Sequence, residues 1–256
     1  MGFRVFGRNR RFGMLLGLQD STTYAQRLLN IDRANLVAGW DQSETSGTVA
    51  ADSSGNGLNA TYAASITLNA AAFADGTPMP LYDANADVVT LPVATLDSPF
   101  DPTLGTLMIW LKVRAASVWT DGVSHFAIEL GADASNRIFI SKSATNNTLS
   151  LSYRAGGAAQ TKNITYSATS LTAIHITWNK TSDRVRFYLN GAQDGADLGS
   201  MGVWSGALSN LWTAMGNFIS SGGANYWDGY LKYAKLWKSE LTAGQIAQTV
   251  PASFLV

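Results

Sequence analysis

The fold is decided by residues 173–191, which read AIHITWNKTSDRVRFYLNG. Each half of this stretch alternates apolar residues with polar or small ones, and residues two apart lie on the same side of a β-strand. The apolar set is Ile174, Ile176, Trp178, Val185, Phe187 and Leu189. Because the polar residues 179–183 separate the two runs, the stretch predicts a β-hairpin. Asn190-Gly191 predicts the next turn, since both residues tolerate positive φ.

The same alternation continues on both sides of this hairpin. Leu107, Ile109, Leu111 and Val113 share one side of a further strand. Weaker runs, separated by Gly, Asn, Asp and Ser clusters, predict strands at 88–91, 126–130, 137–141, 149–153, 163–166, 212–216 and 230–237. We therefore expect an all-β protein built as a two-sheet antiparallel sandwich.

Two short helices are predicted at the ends of the sandwich. Residues 24–35 place apolar side chains on one side of a helix, with Thr22 or Thr23 as its N-cap. Thr242 begins a capping box that predicts a short C-terminal helix. We assign residues 1–35 to a basic arm and connector helix. Residues 36–256 form the sandwich, ending in an apolar tail that we expect to pack on the domain.

Composition limits the classes of protein to which the chain can belong. Its 256 residues are 46% hydrophobic and 14% charged, which favours one folded domain over a disordered chain. The 18 basic and 18 acidic residues create no overall field toward nucleic acid or an acidic membrane. No apolar run reaches the roughly 20 residues of a membrane span, and the absence of Cys excludes disulfides and thiolate metal sites. We expect a protein that is not embedded in a membrane.

The balanced total hides an uneven distribution of charge. Residues 1–19 carry Arg4, Arg8, Arg10 and Arg11 and no acidic residue, which leaves 14 basic and 18 acidic residues in the rest of the chain. Arginines pair well with carboxylates of a neighbouring subunit or with phosphates of packaged nucleic acid. We predict that these four arginines bind other subunits of an assembly, most simply a homo-oligomer, and that any nucleic acid would be bound only through this arm.

Three blocks of sequence, in the same order, resemble laminin-G-like jelly rolls of the concanavalin A-like group. The first is WDQSETSGT at 40–48 with ADSSGNGLNAT at 51–61. The second is the hairpin at 174–191, and the third comprises MGN at 215–217, WDGYLKYAKLW at 227–237 and LTAGQI at 241–246. The resemblance spans about residues 36–248. It implies a jelly-roll sandwich whose first and last strands meet.

The resemblance also raises the question of calcium, which many relatives bind through oxygen ligands. Asp52, Asn56 and Asp228 would be the ligands here. The alternative is structural, with Asp52 and Asn56 capping backbone N–H groups in a turn. The chain also departs from the family pattern, because Lys232 and Tyr233 replace carboxylates of the last strand and a Lys repels a cation. We expect no other cofactor.

Catalytic motifs are absent from the sequence. Glycosidases of this fold use closely spaced carboxylates, often in an E-x-D-x-x-E string, whereas Glu44, Glu129 and Glu240 lie far apart. His125 and His175 are the only histidines, which excludes a three-His metal site. His175 lies on the opposite side of its strand from Ile174, where we expect a surface or packing role. We predict that the protein is not an enzyme.

Two functions remain open. The first is a structural protein of a virion, such as a capsid decoration or tail protein anchored by the arm, because residues 24–29 resemble the lead-in to jelly rolls of bacteriophage structural proteins. The alternative is a carbohydrate-binding, lectin-like module for adhesion, with aromatic side chains that stack on sugars. Its candidate ligand-binding residues are Trp119, Trp204, Tyr226 and Trp227 in loop-like sequence, and Arg186 and Tyr188, which share outward-facing strand positions with Trp110. Either function places the protein in a virion or outside the cell.

Overall fold

A computed structural model describes residues 22–222 and 225–255. Within them, sixteen β-strands account for most of the regular structure. The strands are β1 (Leu36–Trp40), β2 (Val49–Ala50), β3 (Ala60–Tyr62), β4 (Thr67–Ala72), β5 (Pro78–Tyr82), β6 (Val89–Thr90), β7 (Leu104–Val113), β8 (His125–Asp133), β9 (Asn136–Lys142), β10 (Thr148–Ala155), β11 (Ala158–Thr165), β12 (Thr172–Asn179), β13 (Arg184–Leu189), β14 (Ala192–Gln193), β15 (Ala214–Met215) and β16 (Gly229–Trp237).

The strands form two antiparallel sheets, which confirms the two-sheet jelly-roll sandwich. The first sheet has the order β14-β13-β12-β7-β16-β5-β4, and β1 also pairs with β16. The second sheet has the order β11-β10-β9-β8-β15-β6-β3-β2. Pairing of β1 with β16 confirms that the first and last strands meet.

The hairpin at 173–191 forms as predicted. Strands β12 and β13 pair in continuous register, from Ile174 opposite Leu189 to Asn179 opposite Arg184. Asn190 and Gly191 have φ angles of 51° and 83°, which is the left-handed conformation that the Asn-Gly turn requires. The hairpin fixes one edge of the first sheet.

Three α-helices lie outside the sheets, namely α1 (Tyr24–Asn30), α2 (Val93–Leu96) and α3 (Ala243–Gln248). Both predicted helices begin with a capping box, in which the hydroxyl of Thr23 or Thr242 accepts a hydrogen bond from the backbone three residues later. The single turn of α2 was not predicted. No helix in the described part of the chain has the length and apolar content needed to cross a membrane.

Strands β4 and β5 were also missed. Their sequences, TLNAAA and PMPLY, combine Ala, Asn and Pro, which are all depleted in strands. The two strands form one end of the first sheet, where β5 gains its second partner from β16. Pairing with an already formed neighbour therefore overrides their weak local preference.

The main core lies between the sheets and is built from the predicted apolar sides of the strands. Ile174, Ile176 and Trp178 of β12 are fully buried in it, as are Ile138 and Ile140 of β9. Side chains at alternate positions of the same strands therefore point away from the core. These alternate side chains form an outer face on each sheet.

A second apolar cluster covers the outer face of the first sheet. It joins side chains of β7, β12, β13 and β16 to α1, α3 and a short 3₁₀ helix at Ala252–Phe254. Tyr24 of α1 accepts a 2.7 Å hydrogen bond from Trp110 Nε1 and donates to the carbonyl oxygen of Thr249, so polar contacts fix the helices in place. Phe254 confirms that the C-terminal tail packs on the domain. We call this surface the covered face.

Candidate functional site

The residues predicted to line the first sheet are on the covered face. Trp110 and Tyr188 point away from the inter-sheet core, but they are only 0% and 1% exposed. Arg186 donates to both carboxylate oxygens of Asp197, at 2.7 and 2.8 Å, and to Glu240 at 3.3 Å. Because α1, α3 and the C-terminal tail pack over them, Trp110 and Tyr188 offer no binding surface, whereas Arg186 stays partly exposed.

The four candidate loop aromatics do not form one platform either. Trp119 and Trp227 are buried in the main core, where their indole N–H groups bond to backbone carbonyls. Trp204 and Tyr226 are partly exposed. Ser205, which follows Trp204 in the chain, bonds to Asn136 at the start of β9, whereas Tyr226 bonds to His125 at the start of β8. Because β8 and β9 are antiparallel, Trp204 and Tyr226 lie at opposite ends of this strand pair. The structure therefore separates the predicted ligand-binding residues.

Asp52 and Asn56 form the turn that the structural alternative predicted. The carboxylate of Asp52 accepts hydrogen bonds from the backbone N–H groups of Gly39, Ser54 and Leu58, at 2.9, 2.9 and 3.0 Å. The Asn56 amide donates to two carbonyls at the start of β1. Both carboxylate oxygens of Asp52 are therefore engaged in holding the chain.

Asp228 lies far from this turn. Asp52 bridges to Trp40, which is opposite Ala234 of β16, whereas Asp228 precedes Ala234 by six residues, or about 20 Å of extended chain. Its two carboxylate oxygens accept from Arg114 at 2.7 and 3.2 Å. The three candidate residues do not fit a calcium site. Among the residues described, no group of three His, Asp or Glu side chains is placed to hold a metal ion.

Buried ammonium groups occupy the region between β16 and the loop that follows β1. Lys232 Nζ donates to Ser43 Oγ at 2.5 Å and to the Pro78 carbonyl at 2.7 Å, and Lys235 Nζ pairs with Asp41. Burial lowers the pKa of Lys232 to about 8 and also lowers the pKa of Lys235. The ammonium groups of Lys232 and Lys235 therefore supply the positive charge in this region.

Both histidines have packing roles. His175 is fully buried on the covered face, where Nε2 lies 2.7 Å from Thr249 Oγ1, and burial lowers its pKa to about 3. His125 is bonded through both ring nitrogens, to Asp121 at 2.7 Å and to the Tyr226 carbonyl at 2.5 Å. The Thr249 hydroxyl beside His175 is itself fully buried and donates to the Ile246 carbonyl oxygen.

The outer face of the second sheet has a different character. One row of directly opposite residues crosses four adjacent strands of this sheet, namely Glu129 of β8, Phe139 of β9, Ser152 of β10 and Thr161 of β11. Glu129, Phe139 and Ser152 alternate with residues of the main core, so they point away from it, and Thr161 points the same way because it is directly opposite Ser152. The three α-helices pack elsewhere, with α1 and α3 on the first sheet and α2 in the core.

Arg137 is the centre of this face. Its guanidinium carbon lies 4.7 Å from the ring centroid of Phe139, 5.2 Å from that of Trp212 and 5.5 Å from that of Phe218. Its Nη1 donates to Glu129 Oε1 at 3.0 Å. Cation–π contacts with several rings and an ion pair hold the guanidinium in one orientation. We name Glu129, Arg137, Phe139, Arg154, Trp212 and Phe218 the arginine–aromatic face.

Glu129 lies beneath the guanidinium and is almost fully buried. Burial raises the pKa of Glu129 to about 7, although Arg137 acts in the opposite direction. Because the burial effect exceeds the attraction of the cation, this carboxyl group is partly protonated near neutral pH. A carboxyl group in this state can both accept and donate hydrogen bonds.

Arg154 lies directly opposite Arg137 in the β9–β10 pair. Its Nη1 donates a 3.4 Å hydrogen bond to the carbonyl oxygen of Ala134. Burial lowers the pKa of Arg154, and the charge of Arg137 lowers it further. The Nε atoms of both arginines are buried without a hydrogen-bond partner. Two N–H donors beneath this face are therefore buried without an acceptor.

Aromatic side chains extend the face at one side. Phe126 stacks on Phe218 with ring centroids 4.5 Å apart, and Trp212 meets Phe218 at 5.5 Å. Trp212 and Phe218 are partly exposed, and the neighbouring Leu211 is 58% exposed. Ring faces beside charged and hydroxyl groups are suited to binding a molecule with both apolar and polar sides.

Sequence reasoning missed this face, although part of its signal was present. The run RIFIS at 137–141 was predicted as a strand, and its alternation already placed Arg137 and Phe139 on one side. Trp212 and Phe218 flank β15, more than 70 residues later, and nothing in the local pattern predicts that this strand lies near β9. The four arm arginines, Arg4, Arg8, Arg10 and Arg11, lie outside the described residues.

Comparisons with known proteins agree with the architecture. A family model described as the concanavalin A-like lectin/glucanases superfamily (Laminin_G_3) matches residues 83–247. None of the curated proteins matches the chain in sequence.

Several solved structures share the fold at low sequence identity. Domain 4 of AbnA, an extracellular arabinanase from Geobacillus stearothermophilus solved with arabinotriose, is 14% identical, with a TM-score of 0.58 over 85% of this chain and 98% of that one. The botulinum neurotoxin serotype D ligand binding domain, solved with N-acetylneuraminic acid, is 12% identical, with a TM-score of 0.57 over 86% and 51%. The binding domain of Paraclostridial Mosquitocidal Protein 1 is 16% identical, with a TM-score of 0.59 over 84% and 51%.

The present chain spans about half the length of these toxin domains. Likeness at this level of identity establishes the fold, and the family match covers well over half of the chain. Two sheets, paired first and last strands and the 173–191 hairpin agree with that match. The chain therefore belongs to the laminin-G-like family of the concanavalin A-like lectin/glucanases superfamily.

Proposed function

We propose that this chain is a non-catalytic, lectin-like binding protein whose arginine–aromatic face holds a saccharide. The observation that carries the proposal is the guanidinium of Arg137, which is enclosed by three aromatic rings and paired with buried Glu129. Aromatic rings pack against the C–H faces of sugars, while the charged groups and neighbouring hydroxyls bond to sugar hydroxyls.

The related structures support a binding role for this fold. Domain 4 of AbnA was solved with arabinotriose, and the serotype D toxin domain with N-acetylneuraminic acid. The third similar structure is a toxin binding domain. Fold-level likeness transfers no binding residues, so the site itself rests on the geometry of the second sheet.

The distribution of carboxylates supports a non-catalytic role. Glycoside hydrolysis requires two carboxyl groups about 5 to 10 Å apart on either side of the scissile bond. On the arginine–aromatic face, Glu129 is the one carboxylate within the described part of the chain. Although domain 4 of AbnA is part of an arabinanase, the present face holds an acid and two arginines instead of an acid pair.

Two tryptophan variants test the proposal. Trp212 and Trp204 are both partly exposed, but Trp204 packs on Phe100 and Tyr153, away from Arg137. Wild type, Trp212→Ala and Trp204→Ala would be compared on a glycan array, and each hit would be titrated by calorimetry. We expect Trp212→Ala to weaken saccharide binding about tenfold and Trp204→Ala to leave it within about twofold.

Thermal unfolding of each variant shows whether the fold survives the change. Two outcomes contradict the proposal. Either no saccharide binds the wild type, or the Trp204 variant loses binding while the Trp212 variant retains it.

We further propose that the chain is a virion component, such as a bacteriophage capsid decoration or tail protein, and a homo-oligomer anchored by its arm. The support is the charge distribution, which concentrates four arginines within residues 1–19. Docking of α1 on the covered face adds support, because it ties the chain just after the arm to the body of the domain.

The native mass tests the assembly proposal. A chain starting at Thr22 retains α1 and its cap, whereas one starting at Leu36 would lose part of the second apolar cluster. We expect light scattering to find a defined oligomer for the full chain and a folded monomer for the chain starting at Thr22. Two monomers would contradict self-assembly through the arm.

A further inference from the structure

Arg137 and Arg154 are placed against electrostatic preference. They are directly opposite in the β9–β10 register, and like charges at such positions destabilise a sheet. Each also has a buried Nε without a partner, which costs free energy that a bonded donor would not. The sheet tolerates both costs at one place on its outer face.

Neighbouring carboxylates do not neutralise both arginines. Glu129 bonds to Arg137 Nη1, and within the described residues no carboxylate forms an ion pair with Arg154. Asp133, at the end of β8, bonds to the Asn136 amide and the Ser135 N–H. Within the described residues this part of the face therefore holds two guanidinium groups and one carboxylate, which is bonded to Arg137.

The geometry suits one anion held by two guanidinium groups. Opposite residues of an antiparallel pair have Cα atoms roughly 5 Å apart, so two arginine forks can converge on a single group. A guanidinium binds a carboxylate or sulfate through two parallel hydrogen bonds. Trp212 and Phe218 extend the same surface on the other side of Arg137 and supply ring faces for the rest of a sugar.

We propose that the Arg137–Arg154 pair binds the carboxylate or sulfate of an acidic saccharide, so that the arginine–aromatic face selects acidic over neutral glycans. The inference rests on the proposed saccharide-binding function and adds the class of ligand. The anion offsets the repulsion between the two arginines, which within the described residues share one neighbouring carboxylate, Glu129.

The test uses pairs of oligosaccharides that differ only in charge. Uronic-acid oligosaccharides would be arrayed beside their carboxyl-reduced neutral counterparts, and sulfated oligosaccharides beside their desulfated forms. We expect the wild type to bind the acidic member of at least one pair about tenfold or more tightly, and this preference to weaken as salt is raised.

Three arginine variants identify the source of the preference. Arg154→Gln is expected to abolish it, and Arg154→Lys, which keeps the charge but lacks the planar fork, to leave an intermediate value. Arg33→Gln is the matched control, because Arg33 is exposed, forms no ion pair among the described residues and belongs to a 3₁₀ helix outside the sheets. Arg154→Gln removes a repulsive contact, so we expect its Tm to equal or exceed that of the wild type.

The outcomes separate the two proposals. If acidic and neutral members bind equally, or if Arg154→Gln keeps the preference, the acidic-ligand inference is wrong, while the saccharide-binding function stands. A wild type that binds no member of any pair overturns both. Equal losses in Arg154→Gln and Arg33→Gln would assign the preference to overall charge and not to the paired arginines.

Discussion

The outer faces of the two sheets differ in what packs on them. On the covered face, Trp110 and Tyr188 form an apolar layer beneath α1, α3 and the C-terminal tail. On the arginine–aromatic face, Arg137 and Arg154 stand beside aromatic rings, and none of the three α-helices contributes to the surface. Both faces arise from the same strand alternation. Outward orientation therefore says little about availability until the packing of the connecting segments is known.

Replacing tryptophan on each face gives the largest expected contrast. Trp110→Ala removes a fully buried ring and leaves the Tyr24 hydroxyl without its donor, so we expect a loss of about 4 kcal/mol in the free energy of unfolding. Trp212→Ala removes a partly exposed ring and should cost less than about 2 kcal/mol. Denaturant titration of both variants measures the difference. Equal losses would break the distinction between a packed face and a surface face.

Acid should weaken the covered face through His175. Its folded pKa of about 3 lies below the ordinary value of 6.5, so the unfolded chain takes up a proton first and stability falls as pH falls from 6.5 toward 3. Between pH 7.5 and 4.5 this contribution is about 3 kcal/mol. The stability of wild type relative to His175→Gln should therefore fall by about that amount over this range. A difference that is independent of pH would contradict burial of the uncharged ring.

The arginine–aromatic face should respond to pH with the opposite sign. The folded pKa of Glu129, about 7, lies above its ordinary value of 4.5, so the folded chain holds the proton more tightly. The stability due to Glu129 is present at low pH and is lost as pH rises through 7. Between pH 5 and 7 we expect the stability of wild type relative to Glu129→Gln to fall by about 2 kcal/mol. A rise over this interval would mean that Arg137 outweighs burial.

The strands of the sandwich were largely predictable because their signal is local. In β12 and β13, Ile176 and Phe187 occupy the expected inward positions, and Asn190-Gly191 has the conformation that its sequence favours. In β7, the predicted apolar side forms the core as well. Alternation is a property of neighbouring residues and does not depend on the rest of the fold.

The functional surface was not predictable because it depends on distant segments. Tyr188 was correctly placed on the outer side of β13, yet α3 and residues 252–254 cover that side. Conversely, Arg137 becomes the centre of a site only when β15, which Trp212 and Phe218 flank, pairs with β8. Both errors have one cause, since a single sequence pattern specifies the orientation of a side chain but not what the rest of the chain brings to it.

The position of β16 has a consequence for the order of folding. This strand is the last one in chain order, yet it lies in the interior of the first sheet, where it is hydrogen-bonded to β7, β5 and β1. Its register with β1 joins residues roughly 200 positions apart, from Leu36 to Trp237. During synthesis the first sheet must wait, with the partner edges of β7 and β5 unpaired, until residues 229–237 leave the ribosome. The second sheet, whose strands β8 to β11 follow one another directly, can pair before then.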